Sequence, residues 1–163
     1  MNEPNANTAR SLLAAIVEWL PGFGGYDAVD ERARADAEQR AWLAERLERG
    51  KQGLERYLRV LADSVQLDAV GQADRLRRET DQLSNRIRGA MRGGGGLLGG
   101  GPVDAARLER VYEHDLALIE QVAATADLME SLGGSPSDAA ERLDRLASQL
   151  QVLAGVPGFA EAP

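Results

Sequence analysis

The chain has 163 residues, which is enough for one domain with a modest hydrophobic core. Its 26 acidic and 19 basic residues give a net charge of −7, which disfavours a generic nucleic-acid binder, since such proteins are basic. The absence of cysteine excludes disulfide bonds, thiolate nucleophiles and sulfur-ligated metals, and the low aromatic content (4%) leaves Ala, Leu and Val to form most of the core.

The first predicted element is a short helix over residues 9–20, capped by Thr8 or Ser11 and ended by Pro21. Leu12, Ile16, Trp19 and Leu20 can share one face of this helix, and Phe23 follows in the turn PGFGGY at 21–26. Because tryptophan suits a membrane interface or a partner's groove, these residues are candidates for partner or membrane contact. The alternative is that the helix packs on the end of the bundle, and Glu18 and the lack of Lys and Arg within 11–23 argue against an anionic membrane.

A helical hairpin is predicted over residues 27–91. Asp27 begins its first helix, whose apolar residues recur at alternating spacings of four and three, as in a heptad seam: Leu43, Leu47, Gly50, Leu54, Tyr57, Leu61 and Val65. Gly50 falls on this seam, where a missing side chain lets another helix approach closely. The chain is expected to turn near 66–71, and the second helix, over 68–91, carries its own seam: Ala73, Leu76, Thr80, Leu83, Ile87 and Ala90.

A glycine-rich connector separates this hairpin from a second one. The stretch GGGGLLGGG at 93–101 holds seven glycines, so residues 92–102 are predicted to be a flexible linker. They lack the Gly-Lys-Ser/Thr ending and the preceding strand of a phosphate-binding loop. Pro102 and Asp104 start the second hairpin, over 103–154, and Ser135 or Ser137 is expected to cap its last helix. The breaker-rich segment 155–163 is predicted to be a tail.

The pattern of the whole chain predicts an all-α fold. Each long helix is apolar on one stripe, and burying these stripes together gives a single domain, 1–163, built as an elongated antiparallel bundle of about four long helices plus the short N-terminal helix. No segment alternates with period two, so no sheet is expected. The first long helix is much longer than the last, so part of its seam is expected to lack an intramolecular partner and to be open to self-association.

Several segments resemble an uncharacterised bacterial family of all-helical proteins: PGFGGY (21–26), DxxDERxRxD (27–36), TDQLSNRIRGA (80–90) and LERVYEHDLALIEQV (108–122). Members of that family combine a Pro-Gly-x-x-Gly-Tyr entry with an Arg-rich helix and a later Asp-Leu-Ala-Leu segment, and the resemblance spans about residues 15–155. It implies a helical fold but no activity or ligand. The chain departs from the family at 93–101, where relatives have an aromatic glycine loop, so a role that depends on those aromatic residues is in doubt here.

Three charged residues lie on or next to the apolar face of the predicted helices and form a candidate buried polar network: Asp36, Arg40 and Asp115. Buried charges need partners, so one interpretation is an interhelical set of ion pairs that fixes the register of the bundle. The other interpretation is a polar pocket for a ligand or a reaction. A di-iron site is excluded, because it needs Glu-x-x-His pairs, and the single histidine, His114, has Val111 three residues before it.

The arginines are unevenly distributed. Residues 74–92 hold six basic and three acidic residues, whereas 102–163 hold 4 basic and 11 acidic ones. A candidate anion patch lies in the first of these segments, and it comprises Arg75, Arg78, Arg86 and Arg88. The opposed segments could attract each other within the bundle or offer an anion a binding site, whereas the interspersed acids and missing aromatic residues disfavour nucleic acid.

Together these patterns predict a non-catalytic helical interaction or scaffold protein that acts through protein–protein contacts, including contacts with itself. A peripheral membrane protein that uses its N-terminal amphipathic helix is the first alternative, and a small-molecule sensor or enzyme with a polar pocket in the bundle is the second. No catalytic residue, metal, cofactor or small-molecule partner is predicted. The missing cysteines and signal-peptide pattern, together with apolar runs too short for a bilayer, favour a cytoplasmic location, with peripheral membrane contact as the alternative.

Overall fold

The computed structural model of the protein describes residues 6–90 and 101–156, which fold into five helices without a strand. The helices are α1 (Ala6–Trp19), α2 (Arg32–Asp63), α3 (Leu67–Ala90), α4 (Ala105–Glu130) and α5 (Ala139–Ala154). The all-helical prediction is therefore confirmed. The linker predicted over 92–102 and the tail predicted over 155–163 lie largely outside the described residues.

Three helix starts differ from the predicted ones. Helix α1 begins at Ala6, and Ser11 does not cap it, because the Ser11 hydroxyl donates back to the carbonyl of Asn7 within the helix at 3.0 Å. Helix α2 begins at Arg32 instead of Asp27. Helix α5 is preceded by Asp138, which takes a left-handed conformation and makes no capping hydrogen bond with its side chain, so neither Ser135 nor Ser137 is the cap. The prediction for α4 is correct, since the Asp104 carboxylate accepts from the Arg107 amide at 2.8 Å.

The turn between α2 and α3 is shorter and earlier than predicted. Helix α2 ends at Asp63 and α3 starts at Leu67, so Gly71, which was expected at the turn, lies inside α3. Val65 was assigned to the α2 seam, and this is wrong: it lies in the turn, with a φ of 57° and 74% of its surface exposed. The heptad spacing simply continues in the sequence past the point where the helix stops.

Two glycines set the contact between α2 and α4. A Cβ atom added at Gly50 would lie 2.8 Å from the Cα of Ala126, and one at Gly53 would lie 2.6 Å from the carbonyl oxygen of Met129. The two helices therefore approach as closely as their backbones allow, as the position of Gly50 on the seam predicted. Because Gly50 lies against Ala126 and Gly53 against Met129, the residue numbers rise in the same direction along both helices, so α2 and α4 run parallel.

The four long helices pack so that α2 and α5 each contact both α3 and α4. Helices α3 and α4 occupy opposite corners of the bundle and meet in its centre, where the Thr80 hydroxyl lies 3.8 Å from the sulfur of Met129. The antiparallel arrangement predicted for the bundle holds inside the α2–α3 hairpin, where Lys51 pairs with Asp81. The two hairpins lie side by side, with α2 parallel to α4. Helix α1 lies against α4.

The seam of α2 is filled within the chain. Its members from Leu43 to Leu61 are buried, and Ala35 and Gln39, on the earlier turns of α2, are buried as well. The loop between α1 and α2, with Phe23 and Tyr26 in the core, supplies the partner for this early part of the helix. The expectation that part of the seam lacks an intramolecular partner is therefore wrong.

Candidate functional site

Tyr26 lies at the centre of a buried polar network between the α1–α2 loop, α2 and α4. Its backbone amide donates to the Tyr112 hydroxyl at 2.9 Å, and the two rings stack with centroids 5.6 Å apart. Gly25 has a φ of +77°, and a Cβ there would lie 2.5 Å from the Tyr112 hydroxyl oxygen. Only glycine satisfies both conditions, so the final Gly-Tyr pair of the PGFGGY motif is explained by this contact.

The Tyr26 hydroxyl is 2.7 Å from the Asp115 carboxylate and 3.1 Å from Oε1 of Gln39, and all three side chains are buried. Burial, reinforced by the negative charge of Asp115, raises the pKa of Tyr26 well above its ordinary value of 10.0. Burial also raises the pKa of Tyr112. Both phenols therefore stay neutral, and Tyr26 is held as a hydrogen-bond donor to a buried carboxylate.

Arg32, at the start of α2, ties this network to the residues before α4. Its Nε donates to the carbonyl of Tyr26 at 2.7 Å, and its Nη1 donates to the carbonyl of Gly101 at the same distance. A buried guanidinium that satisfies two loop carbonyls fixes the path of both segments.

The predicted polar set is only partly brought together. Asp115 is buried in the network, with His114 Nδ1 3.5 Å from its other oxygen, and the charge of Asp36 acts on Tyr26 from α2. Arg40 forms a 3.0 Å ion pair along its own helix, with Asp36, and both side chains are partly exposed. The carboxylate of Asp115 is thus satisfied by a phenol, and the interhelical ion pair with Arg40 is not formed.

The sequence did not identify Tyr26, Gln39 and Tyr112 as partners of Asp115. The sequence does hold one signal for these partners: a carboxylate on the apolar face of a helix needs a hydrogen-bond donor, and the chain has only three tyrosines. A cavity of about 410 Å³ lies beside the network, lined by Tyr112, Arg10 and Asp27 among others. Its lining residues do not include Asp36, Arg40 or Asp115, so the predicted polar pocket and this cavity are different places.

The five candidate contact residues of the N-terminal segment lie mostly inside the protein. Ile16, Leu20 and Phe23 are buried in the core, and Leu12 is half-buried against it. Trp19 keeps 40% of its surface exposed and meets the ring of Trp42 edge-on, with centroids 6.0 Å apart. In this conformation α1 packs on the bundle, and Trp19 is the candidate contact residue that remains at the surface.

The arginines of the predicted anion patch do not form one site. Arg78 pairs with Asp74 at 3.1 Å, and the Arg77 guanidinium holds the pKa of the Asp74 carboxyl below its ordinary value. Arg75 and Arg86 line a groove of about 480 Å³ between α3 and α5, which we name the arginine groove. Arg88 is exposed near the end of α3 and is not among the residues that line the groove.

The end of the bundle that carries both hairpin turns presents a second groove, of about 800 Å³, between residues 65–69 and 136–140. These two segments are named the turn surface. Val65 and Leu67 expose 74% and 72% of their surfaces there, and Gln66 Nε2 donates to the carbonyl of Pro136 at 3.2 Å. The sequence did not reveal this surface, because the seam pattern placed Val65 in the core.

Comparison of the chain with models of protein families, with curated proteins and with solved structures gives no match. Across residues 6–90 and 101–156, no helix has both the length and the apolar character needed to cross a bilayer. The same residues contain no group of three or more histidine or carboxylate side chains placed to hold a metal ion.

Proposed function

We propose that the protein is a non-catalytic helical interaction module that binds a partner protein at the turn surface. One observation carries this proposal: Val65 and Leu67 are about three-quarters exposed on a turn that the bundle holds in place. Large aliphatic side chains presented together on a fixed element are typical anchors for a protein interface.

The conformation of Val65 supports the proposal. A β-branched residue with a φ of 57° is strained, since a left-handed backbone costs an L-residue about 1–2 kcal/mol. Glycine or asparagine would relieve that strain at this position. The left-handed conformation itself closes α2, since the amides of Val65 and Gln66 donate to the carbonyls of Ala62 and Leu61 at 3.1 Å. The use of a β-branched residue there in place of glycine favours a contact of its exposed side chain.

The charges of the turn surface favour a partner segment that is both apolar and basic. Asp68 and Asp138 line the groove beside Val65 and Leu67, and neither carboxylate has an ion-pair partner within the described parts of the chain. Asp68 also suits the positive end of α3. Lysine or arginine flanking an aliphatic or aromatic anchor would complement this arrangement, whereas an anionic membrane would be repelled.

The test is selection of binding peptides from a displayed random library, followed by measurement of their Kd. We expect one class of the selected peptides to be enriched in lysine, arginine and apolar residues. Leu67→Ser should weaken their binding at least tenfold, while Val152→Ser, at a residue of α5 that is 55% exposed, serves as the matched control and should not. Asp68→Lys together with Asp138→Lys should remove the preference for basic peptides.

Two results would overturn the proposal. Equal effects of Leu67→Ser and Val152→Ser would show that the turn surface is not the binding site. A dimer in sedimentation equilibrium that Leu67→Ser dissociates would assign the turn surface to a second copy of the chain in place of a partner protein. The cytoplasmic location expected from the sequence stays a prediction, and fractionation of cells that express the protein tests it.

A further inference from the structure

The arginine groove has an apolar floor. Leu76 and Leu83 of α3 and Leu150 of α5 lie beneath it, each almost completely buried. On the α5 side, Ala147 and Ala154 are two helical turns apart on one face, and their small side chains leave the groove open. The groove is therefore a long, shallow depression that runs along two neighbouring helices.

Two arginine side chains line the groove above these leucines. Arg75 and Arg86 are three helical turns apart on the same face of α3, which separates their Cα atoms by about 16 Å. Within residues 6–90 and 101–156 neither of them forms an ion pair, although Arg77 and Arg78 of the same helix are paired with Asp74. Among the described residues, Glu79 is the one carboxylate that lines the groove, and it lies between the two arginines.

We propose that the arginine groove binds an acidic amphipathic helix of a partner protein. Apolar residues of that helix at spacings of three, four and seven would pack against the partly exposed Ala147 and Ala154, above the buried leucines. Two carboxylates of that helix, about eleven residues apart, would pair with Arg75 and Arg86. The negative charge of Glu79 would repel a third acidic residue midway between them.

Two other occupants fit the groove less well. A single phosphate or carboxylate cannot bridge two guanidinium groups whose Cα atoms are about 16 Å apart. A second copy of this chain offers no suitable helix in its folded state, because the apolar stripe of its acidic helix α4 is buried in its own core. The charge and length of the groove together select the acidic helix.

This inference does not rest on the turn surface, since it names a different face and a partner of opposite charge. If both sites are occupied, the protein joins a basic segment to an acidic helix and serves as an adaptor. Loss of either site leaves the argument for the other intact.

The test uses a designed amphipathic peptide of about 18 residues with a leucine stripe and two glutamates eleven positions apart, and a matched peptide with lysines in their place. Fluorescence anisotropy on the full chain should show binding of the glutamate peptide and at least tenfold weaker binding of the lysine peptide. Arg75→Glu with Arg86→Glu should reverse that preference, and Arg88→Glu, an exposed residue of the same helix outside the groove, should leave it unchanged.

A second variant tests the floor without changing any charge. Ala147→Leu adds three carbon atoms to the α5 side of the groove and should weaken the glutamate peptide at least tenfold, with an unchanged circular dichroism spectrum as evidence that the bundle remains folded. Equal binding of the two peptides to the unaltered protein, or an effect of Arg88→Glu as large as that of the double reversal, would overturn the proposal. A double reversal that fails to bind the lysine peptide would also count against it.

Discussion

Replacement of Gly53 by alanine should destabilise the protein, although alanine is the better helix former. A Cβ at this position would lie 2.6 Å from the carbonyl oxygen of Met129, 2.7 Å from the Cα of Glu130 and 2.9 Å from the carbonyl carbon of Met129. All three are backbone atoms, which cannot rotate away. Helices α2 and α4 would have to separate by roughly 0.8 Å to restore an ordinary contact of 3.4 Å with the carbonyl oxygen.

Two opposing effects decide the magnitude. Alanine gains about 1 kcal/mol over glycine inside a helix. Overpacking costs about 1–3 kcal/mol, and the backbone contacts of Gly53 place it in the upper part of that range. We therefore expect Gly53→Ala to lower the free energy of unfolding by about 1–2 kcal/mol, since the cost of overpacking exceeds the gain in helix propensity.

Gly71 is the matched control, because it lies inside α3 with no atom within 4 Å of an added Cβ. Gly71→Ala should raise the free energy of unfolding by about 0.5–1 kcal/mol, from helix propensity alone. Urea unfolding followed by circular dichroism measures both changes, as shifts of the midpoint at an unchanged slope. If Gly53→Ala stabilises the protein as Gly71→Ala does, the close approach of α2 and α4 is refuted.

Three further predictions concern single side chains. Tyr26→Phe should cost about 1–3 kcal/mol, because it leaves the buried Asp115 carboxylate without its phenol donor, and urea unfolding at neutral pH will measure the loss. The pKa of Tyr26 is higher in the folded protein than its ordinary 10.0, so the stabilisation from its neutral form is complete below pH 10.0 and is lost as the pH rises above that value. This fall in the free energy of unfolding with pH should be shallower in Tyr26→Phe. Arg46→Ala should cost no more than about 1 kcal/mol, with a smaller cost at high salt, because its partners Asp127 and Glu130 are partly exposed; a larger, salt-independent cost would contradict this. Leu67→Ser should change the free energy of unfolding by less than about 0.5 kcal/mol, and a thermal melt that shows a large loss would mean that Leu67 serves the fold instead of a partner.

Hydrophobic periodicity predicted the elements of this fold well. The α2 seam from Leu43 to Leu61 and the α3 seam from Ala73 to Ile87 are buried as expected, and the proline and glycine signals place most of the breaks within a few residues. Periodicity failed where a helix stops without a strong breaker. Ser64, Val65 and Gln66 form the α2–α3 turn, yet the heptad spacing continues through Val65, so the sequence alone placed an exposed residue in the core.

The arrangement of the helices and the polar network depends on contacts between distant residues. The hydroxyl of Tyr26 and the carboxylate of Asp115 meet 89 positions apart in the chain, and a pattern within one helix cannot encode such a partner. The parallel packing of α2 and α4 likewise follows from the fit of Gly53 against Met129, which only the folded backbones reveal. The turn surface depends in addition on the left-handed conformation of Val65, for which its residue type gives no signal.

The parallel contact between α2 and α4 also bears on how the chain folds. The α2–α3 hairpin forms from partners close in sequence, such as Lys51 and Asp81, which are 30 positions apart, whereas Arg46 and Glu130 are 84 positions apart. Helical hairpins form quickly, because their contacts are close in sequence. A contact between residues far apart in the chain forms more slowly, because a long loop must first be closed at a cost in entropy. Docking of α4 onto the glycine face of α2 is therefore expected to limit the folding rate, so the chain should pass through a collapsed stage in which its first hairpin is ordered and its longest helix still lacks its parallel neighbour.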